Sequence, residues 1–418
     1  MEANNRKQVW ILSFTLVVVM LGFGMVIPIF PFYVEKLGAG GTHLGLLTAI
    51  AAFTELVFGP VWGSVSDRTG RKPILLIGIL GYALSLLLFG LSTEVWMLFA
   101  SRALSGVLSA ATSATALAYV GDCTAERDRG GGLGYLGAAM NLGVIVGPGI
   151  GGWLGGRSLS LPFFVGAGLA TVALVLVALL LPESLPARVR GQVAQEARFA
   201  ERMGRLWGAL WSPIGLLLFM LTLVSFGLTN FETIFGLYAA EKFGYGPQRV
   251  GTILVVIGVV SMVGKAALMG PLTRWWGEAL IIKVSCLASS VGFVVLLLAS
   301  TYPTILLATG LFILSKALLR TSVISLASKR TALGQGTTMG LSNSFMSLGR
   351  IAGPIWAGFI FDVNLNYPYL SGAAIMFVGF LISLAWITQR PKGTKEAVDV
   401  DLAGHAGTAS GMDVGSGS

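Results

Sequence analysis

Charge is what this sequence has least of. Only 11% of its 418 residues are Asp, Glu, Lys or Arg, against about 25% in a soluble globular chain. That deficit excludes a soluble enzyme, a nucleic-acid-binding protein and a disordered chain. Histidine is scarcer still: the two residues, His43 and His405, stand outside the apolar runs and have no metal-ligand spacing around them. The two cysteines, Cys123 and Cys286, imply no disulfide framework. No metal site and no bound cofactor are expected.

What the chain has in abundance is apolar length. Hydrophobic residues make up 55% of it, and its mean hydropathy is +0.81. A helix needs about 20 apolar residues to cross the hydrocarbon core. Twelve runs qualify: 9–33, 44–65, 74–92, 95–121, 133–156, 161–182, 213–239, 250–271, 279–300, 303–327, 337–361 and 368–388. The first is too long for a signal peptide and lacks a small-residue cleavage site. The net charge of +9 does not point to nucleic acid, because the bases lie in short stretches between these runs. With the N-terminus inside, nineteen Lys and Arg fall on the inner side and four on the outer. That bias places both termini in the cytoplasm.

The longest internal polar segment, 183–212, carries five arginines and follows the sixth run. Across it the sequence repeats. Gly147-Pro148 recurs as Gly353-Pro354, and Met140 and Gly143 recur as Met346 and Gly349, all 206 residues on; Gly63 and Gly70 recur as Gly270 and Gly277 after 207. The expected fold is an all-α polytopic membrane protein of twelve transmembrane helices in two pseudo-repeated six-helix halves. Residues 1–182 form the first half, 183–212 a cytoplasmic linker, 213–392 the second half, and 393–418 a disordered cytoplasmic tail rich in Gly, Ser and Ala. Two similar halves suggest alternating access about a site between them.

Four strings carry more. Residues 63–72 read GSVSDRTGRK, with Gly63 and Gly70 for a tight turn and Asp67 among Arg68, Arg71 and Lys72. Asp67 can pair with these bases or face a helix N-terminus. Residues 143–152 read GVIVGPGIGG, dense enough in glycine for close helix approach. The first run carries LGFGMVIPIFP with Pro28 and Pro31, and the fourth carries Arg102 and Gly106. Together these resemble the major facilitator superfamily, and within it the twelve-span drug:proton antiporters. SFGLTNFETIFGLY, 225–238, resembles the seventh helix of bacterial multidrug pumps of the NorA and Bmr type. The resemblance implies proton-coupled efflux of amphipathic small molecules across a bacterial cytoplasmic membrane, by a monomer that uses the proton gradient and no cofactor. An exporter of a lipid, glycolipid or sugar derivative is the alternative. An intramembrane enzyme or a non-transporting receptor is remote, since no histidine lies in a span and both Gly-Pro motifs suit a transporter.

Charge inside a membrane costs roughly 3 kcal/mol per residue on insertion scales, so each such residue needs a reason. Glu232, flanked by apolar and aromatic residues, suits proton uptake and release because desolvation disfavours its charged form; the other reading is a structural salt bridge to Lys316. Glu55 either carries protons or neutralises Arg102, and it stands where related pumps have a neutral residue. Arg102 matches the fourth-helix motif arginine, with helix packing as its plainer role. Lys316 and Arg320, four apart, share a helix face in a stretch where related pumps carry an acid. Lys265 is expected to snorkel, and Arg350 has no assigned role. Asn141, Asn230, Phe231, Phe235, Tyr238 and Phe23 complete the candidate substrate set. The conformational set is Gly63, Asp67, Arg68, Gly70, Arg71, Gly147, Pro148, Gly353 and Pro354.

Orientation is directly testable. A cysteine replacing Gln195 in the linker is expected to react with a membrane-impermeant reagent only after the cell is opened, because the surrounding arginines resist translocation. Labelling in intact cells would contradict the arrangement.

Overall fold

A chain that crosses lipid finds no hydrogen-bond partners there and closes its backbone bonds within helices. The computed structural model describes residues 3–124, 129–185, 208–212, 214–331 and 334–387, and every long regular element among them is a helix. In chain order these are α1 (Ala3–Val26), α2 (Phe30–Lys36), α3 (Gly41–Thr69), α4 (Arg71–Gly90), α5 (Val95–Cys123) and α6 (Arg129–Gly155). They continue with α7 (Leu161–Leu180), α8 (Gly215–Phe243), α9 (Pro247–Leu298), α10 (Tyr302–Arg330), α11 (Gln335–Val363) and α12 (Tyr367–Trp386). Ten of them are long and apolar enough to cross a membrane. The remaining two are the 7-residue α2 and the 29-residue α11. Most of the linker and the whole of the 393–418 tail lie outside the described residues.

Two elements differ from the twelve runs. The run 9–33 is divided between α1 and α2, because Pro28 and Pro31 lack the donors that would continue the helix. Conversely, the runs 250–271 and 279–300 form one 52-residue element, α9, interrupted only at Gly277 (φ 72°, ψ 160°). The Nζ of Lys242, just before α9, donates to the carbonyl of Leu297 at its far end, 2.6 Å away. Both ends of α9 therefore lie on one side, and the chain turns back at Gly277. Gly70, its repeat partner, makes the equivalent turn between α3 and α4 (φ 113°, ψ 160°). A positive φ of this kind favours glycine. With α9 counted as two passes and α2 as part of the first, six passes precede the linker and six follow it.

The Gly-Pro segments join the helices at their closest. Within the first half, a methyl group on Gly147 of α6 would meet the Gly24 backbone of α1 at 2.6 Å; within the second, one on Gly353 of α11 would meet the Phe226 carbonyl of α8 at 2.7 Å. The opposite faces of the same helices cross between halves. Gly152 of α6 lies against Pro247 and Gly251 of α9, and Gly358 of α11 lies against Gly41 and Gly45 of α3. Asp362 of α11 completes the second crossing: its carboxylate accepts from the backbone N–H groups of Gly41 and Thr42, both at 2.8 Å. Helix α3 has no side-chain cap of its own, so its cap comes from the other half.

Five helical turns take 18 residues, so Gly59, Gly63, Gly134 and Gly340 repeat the faces of Gly41, Gly45, Gly152 and Gly358. At each of these four a methyl group would meet nothing within 4 Å. The halves thus seal at the end far from the chain termini and part towards the end that carries them.

If Asp362 holds the seal, Asp362→Ala leaves the first donors of α3 without a side-chain acceptor, at roughly 0.5–2 kcal/mol. In a background with Cys123 and Cys286 replaced by serine, a cysteine at the buried Ala49 is expected to react about 3- to 30-fold faster with a thiol reagent applied at the sealed end.

Candidate functional site

The charged side chains within the bundle occupy three different settings. Arg102 is packed inside the first half, its guanidinium 4.7 Å from the Phe30 ring centre and 5.9 Å from that of Phe89. Its Nε is buried without a hydrogen-bond partner, and no carboxylate pairs with it among the described residues. Glu55 therefore does not neutralise Arg102, which is turned towards α2 and α4.

Lys316 is buried in the second half, at 2% exposure. Its ammonium donates to the Met376 sulfur and lies 5.5 and 5.6 Å from the ring centres of Phe312 and Phe293. It makes no salt bridge to Glu232. Although Lys316 and Arg320 are four residues apart, α10 turns the first into the core and leaves the second exposed.

The third setting is the cleft between the halves. Glu55 on α3 and Arg350 on α11 meet across it at 3.7 Å, with side-chain exposures of 41% and 43%. Arg350 is anchored to its own helix through Ser347, whose Oγ accepts from Nη2 at 3.0 Å. Glu232 on α8 is exposed and makes no hydrogen bond or ion pair among the described residues; the cations that act on it electrostatically are Arg320 and Arg350. Lys265 of α9 is exposed and lies within electrostatic reach of Arg320. The cleft thus gathers two acids and three bases from five helices, and Glu232, Arg320 and Lys265 make no ion pair among the described residues.

The candidate aromatic residues are placed differently. Phe231 and Phe235 are 1% exposed and Tyr238 is fully buried. They pack with Phe312 and Tyr369 in tilted and edge-to-face contacts, ring centres 4.4–5.1 Å apart, and form the core of the second half rather than a surface. Asn230 is buried with them and donates to the Pro368 carbonyl at 2.9 Å, leaving its Oδ1 without a partner. Phe23 and Asn141 are exposed, and Asn141 donates to Gly137 of its own helix.

The 63–72 loop is a charge cluster. Arg71 pairs with Asp67 and, at 2.9 Å, with Asp122 of α5. Arg68 is exposed. It is Glu183, not Asp67, that caps α4: its carboxylate accepts from the backbone N–H groups of Arg71 at 2.8 Å and Lys72 at 3.2 Å. Sequence reasoning passed over Asp122 and Glu183. The repeat held a signal for the first. Counting 207 residues on from Arg71 and Asp122 gives Glu278 and Lys329, and these two form an ion pair as well. The same position is paired in both halves with its charges exchanged.

Three comparisons bear on this arrangement. A family model described as Major Facilitator Superfamily matches residues 12–332. Multidrug resistance protein 1 of Bacillus subtilis (strain 168) is 34% identical over 391 residues, covering 92% of this chain and 97% of its own. Quinolone resistance protein NorA of Staphylococcus aureus (strain COL) is 28% identical over 388 residues, covering 93% and 98%. Among solved structures, the nucleoside transporter NupG superposes with a TM-score of 0.74 at 14% identity, covering 92% of this chain and all of its own.

Lys316 supplies a test of the sorting of charges. A buried ammonium with no carboxylate beside it contributes little to stability, and an apolar replacement of similar length is neutral to stabilising. Lys316→Met is expected to raise the melting temperature in detergent by about 1–3 °C and to leave export intact. A clear fall in melting temperature would show that the ammonium holds the core together.

Proposed function

The chain belongs to the major facilitator superfamily and transports by alternating access, and from that premise we propose that it exports amphipathic small molecules in exchange for protons. The single observation that carries this reading is Glu232: a carboxylate inside the bundle, exposed to the cleft, without an ion-pair partner among the described residues, and within reach of two arginines. A group placed so can take a proton from one side and release it to the other. The opening towards the termini is then the inward-facing state, with both termini cytoplasmic in a bacterial inner membrane. Glu232 can meet either a proton or the basic group of a substrate, but not both. That competition is the core of an antiport.

A second reading is favoured by Arg320 and Lys265. Both are exposed and neither is ion-paired among the described residues, so the cleft has cationic capacity left over. Cargo with an acidic group, such as an anionic lipid, glycolipid or sugar derivative, fits that excess.

Glu232→Gln keeps shape and hydrogen bonding but cannot titrate. In proteoliposomes under an imposed pH gradient, it is expected to lose gradient-driven export by at least about tenfold, while binding of an uncharged compound survives. Undiminished gradient-driven export would remove Glu232 from the mechanism. Export of acidic compounds in preference to lipophilic cations would favour the second reading.

A further inference from the structure

The pair formed by Glu55 and Arg350 is the point where charge crosses between the halves within the membrane. It lies where the sealed part of the α3–α11 crossing gives way to the open part. Glu55 is fourteen residues from the sealed end of α3 and Arg350 thirteen from that of α11, about 20 Å down in each case. Above the pair, Gly45 and Gly358 are in backbone contact; below it, Gly59 and Gly340 face open space.

The companion crossing has nothing equivalent. Val144 lies 206 residues before Arg350, and Met262 lies 207 after Glu55. The equivalent positions of the pseudo-symmetric α6–α9 crossing are apolar, so among the described residues this ion pair has no counterpart there. Glu232 of the same half lies within electrostatic reach of Arg320 first and of Arg350 second. Arg350 thus pairs with Glu55 across the cleft and stands near a second carboxylate in its own half.

We propose that Arg350 relays the protonation of Glu232 to the interface between the halves, through its exchangeable attachment to Glu55. This rests on Glu232 as the proton-carrying group. When Glu232 is ionised, it competes with Glu55 for Arg350 and the cross-half pair is weakened. When Glu232 is protonated, Arg350 belongs to Glu55 alone, and the α3–α11 contact of the present state is strengthened. A ligand shifts a two-state equilibrium only through a difference in its interaction with the two states; here the ligand is a proton and the difference is the Glu55–Arg350 pair. Protons arriving from outside then drive the carrier towards the inward-facing state. The other charged groups in reach are Arg320 of α10, which also attracts Glu232, and Lys265 of α9, which acts on Arg320. Neither touches the other half. Arg350 is a positioning residue: it carries no proton and acts through Glu232 and Glu55.

The test measures the conformational equilibrium rather than transport. Spin labels are placed at Gly59→Cys and Gly340→Cys, where added side chains meet nothing, with Cys123 and Cys286 replaced by serine. Their separation is read by pulsed electron–electron resonance in proteoliposomes. Between pH 8 and pH 5.5 the ratio of long to short separations is expected to rise by about three- to fivefold, the upper range of what a partly exposed ion pair supplies. Glu232→Gln should hold it near the acid value at every pH. Arg350→Gln and Glu55→Gln should each reduce the response to less than about twofold, and Arg350→Lys should restore most of it. Binding of a transported compound confirms that each variant is folded. A response in Glu232→Gln equal to that of the unsubstituted protein overturns the proton-carrier reading itself. A flat Glu232→Gln beside a full response in Arg350→Gln or Glu55→Gln leaves that reading standing and overturns the relay. Failure of Arg350→Lys to restore what Arg350→Gln loses also overturns it.

Discussion

The structure depends on the closeness of backbone to backbone at its glycine-rich crossings. Hydrocarbon chains are as apolar as leucine, so burial from lipid gives helices little reason to associate, and packing and hydrogen bonding must do it. Here α6 and α11 each have a glycine face against a helix of their own half and another against the opposite half. The first face makes each half a rigid unit. The second gives the two units somewhere to touch. Four of these cross-half glycines, Gly41, Gly45, Gly152 and Gly358, recur five turns along as Gly59, Gly63, Gly134 and Gly340, so α3, α6 and α11 carry a glycine face at the open end as well.

Charge is distributed to suit this frame. The loop clusters tie neighbouring helices together within each half: Arg71 with Asp122 in the first, Lys329 with Glu278 in the second. These pairs lie at helix ends, where the cost of ionisation is lowest. Deeper charges are either wrapped, as Arg102 is by Phe30 and Phe89 and Lys316 by Phe293 and Phe312, or exposed to the cleft. The cleft group is the one whose partners can change as the halves move. A wrapped cation has its environment fixed by one half and senses nothing of the other.

Some of the candidate site was legible and some was not. Glu232 stood out because a lone acid in an apolar run calls for an explanation, and it does face the cleft. The aromatic residues beside it gave no such signal: Phe231, Phe235 and Tyr238 occupy the same stretch, yet the helix turns them away into the core. The pairing of Glu55 was legible only as a need for some cation: Arg102 was the partner expected, and Arg350 is the one the fold supplies. Asp362 was hidden because an acid at the end of a span looks like any surface residue until the N-terminus it caps comes into view.

By itself, the sequence determined the number of crossings, the two-fold repeat and the turns at Gly70 and Gly277. Each follows from local composition: apolar length forces a span, and a positive φ asks for glycine. The tertiary structure alone decided which charges meet, which aromatics are core, and which end of the bundle is closed. Those depend on how twelve helices are rotated about their own axes, since a turn of 100° per residue takes Phe231 into the core and leaves Glu232, the next residue, exposed. Hydropathy records how far a residue is from water and carries no record of that rotation.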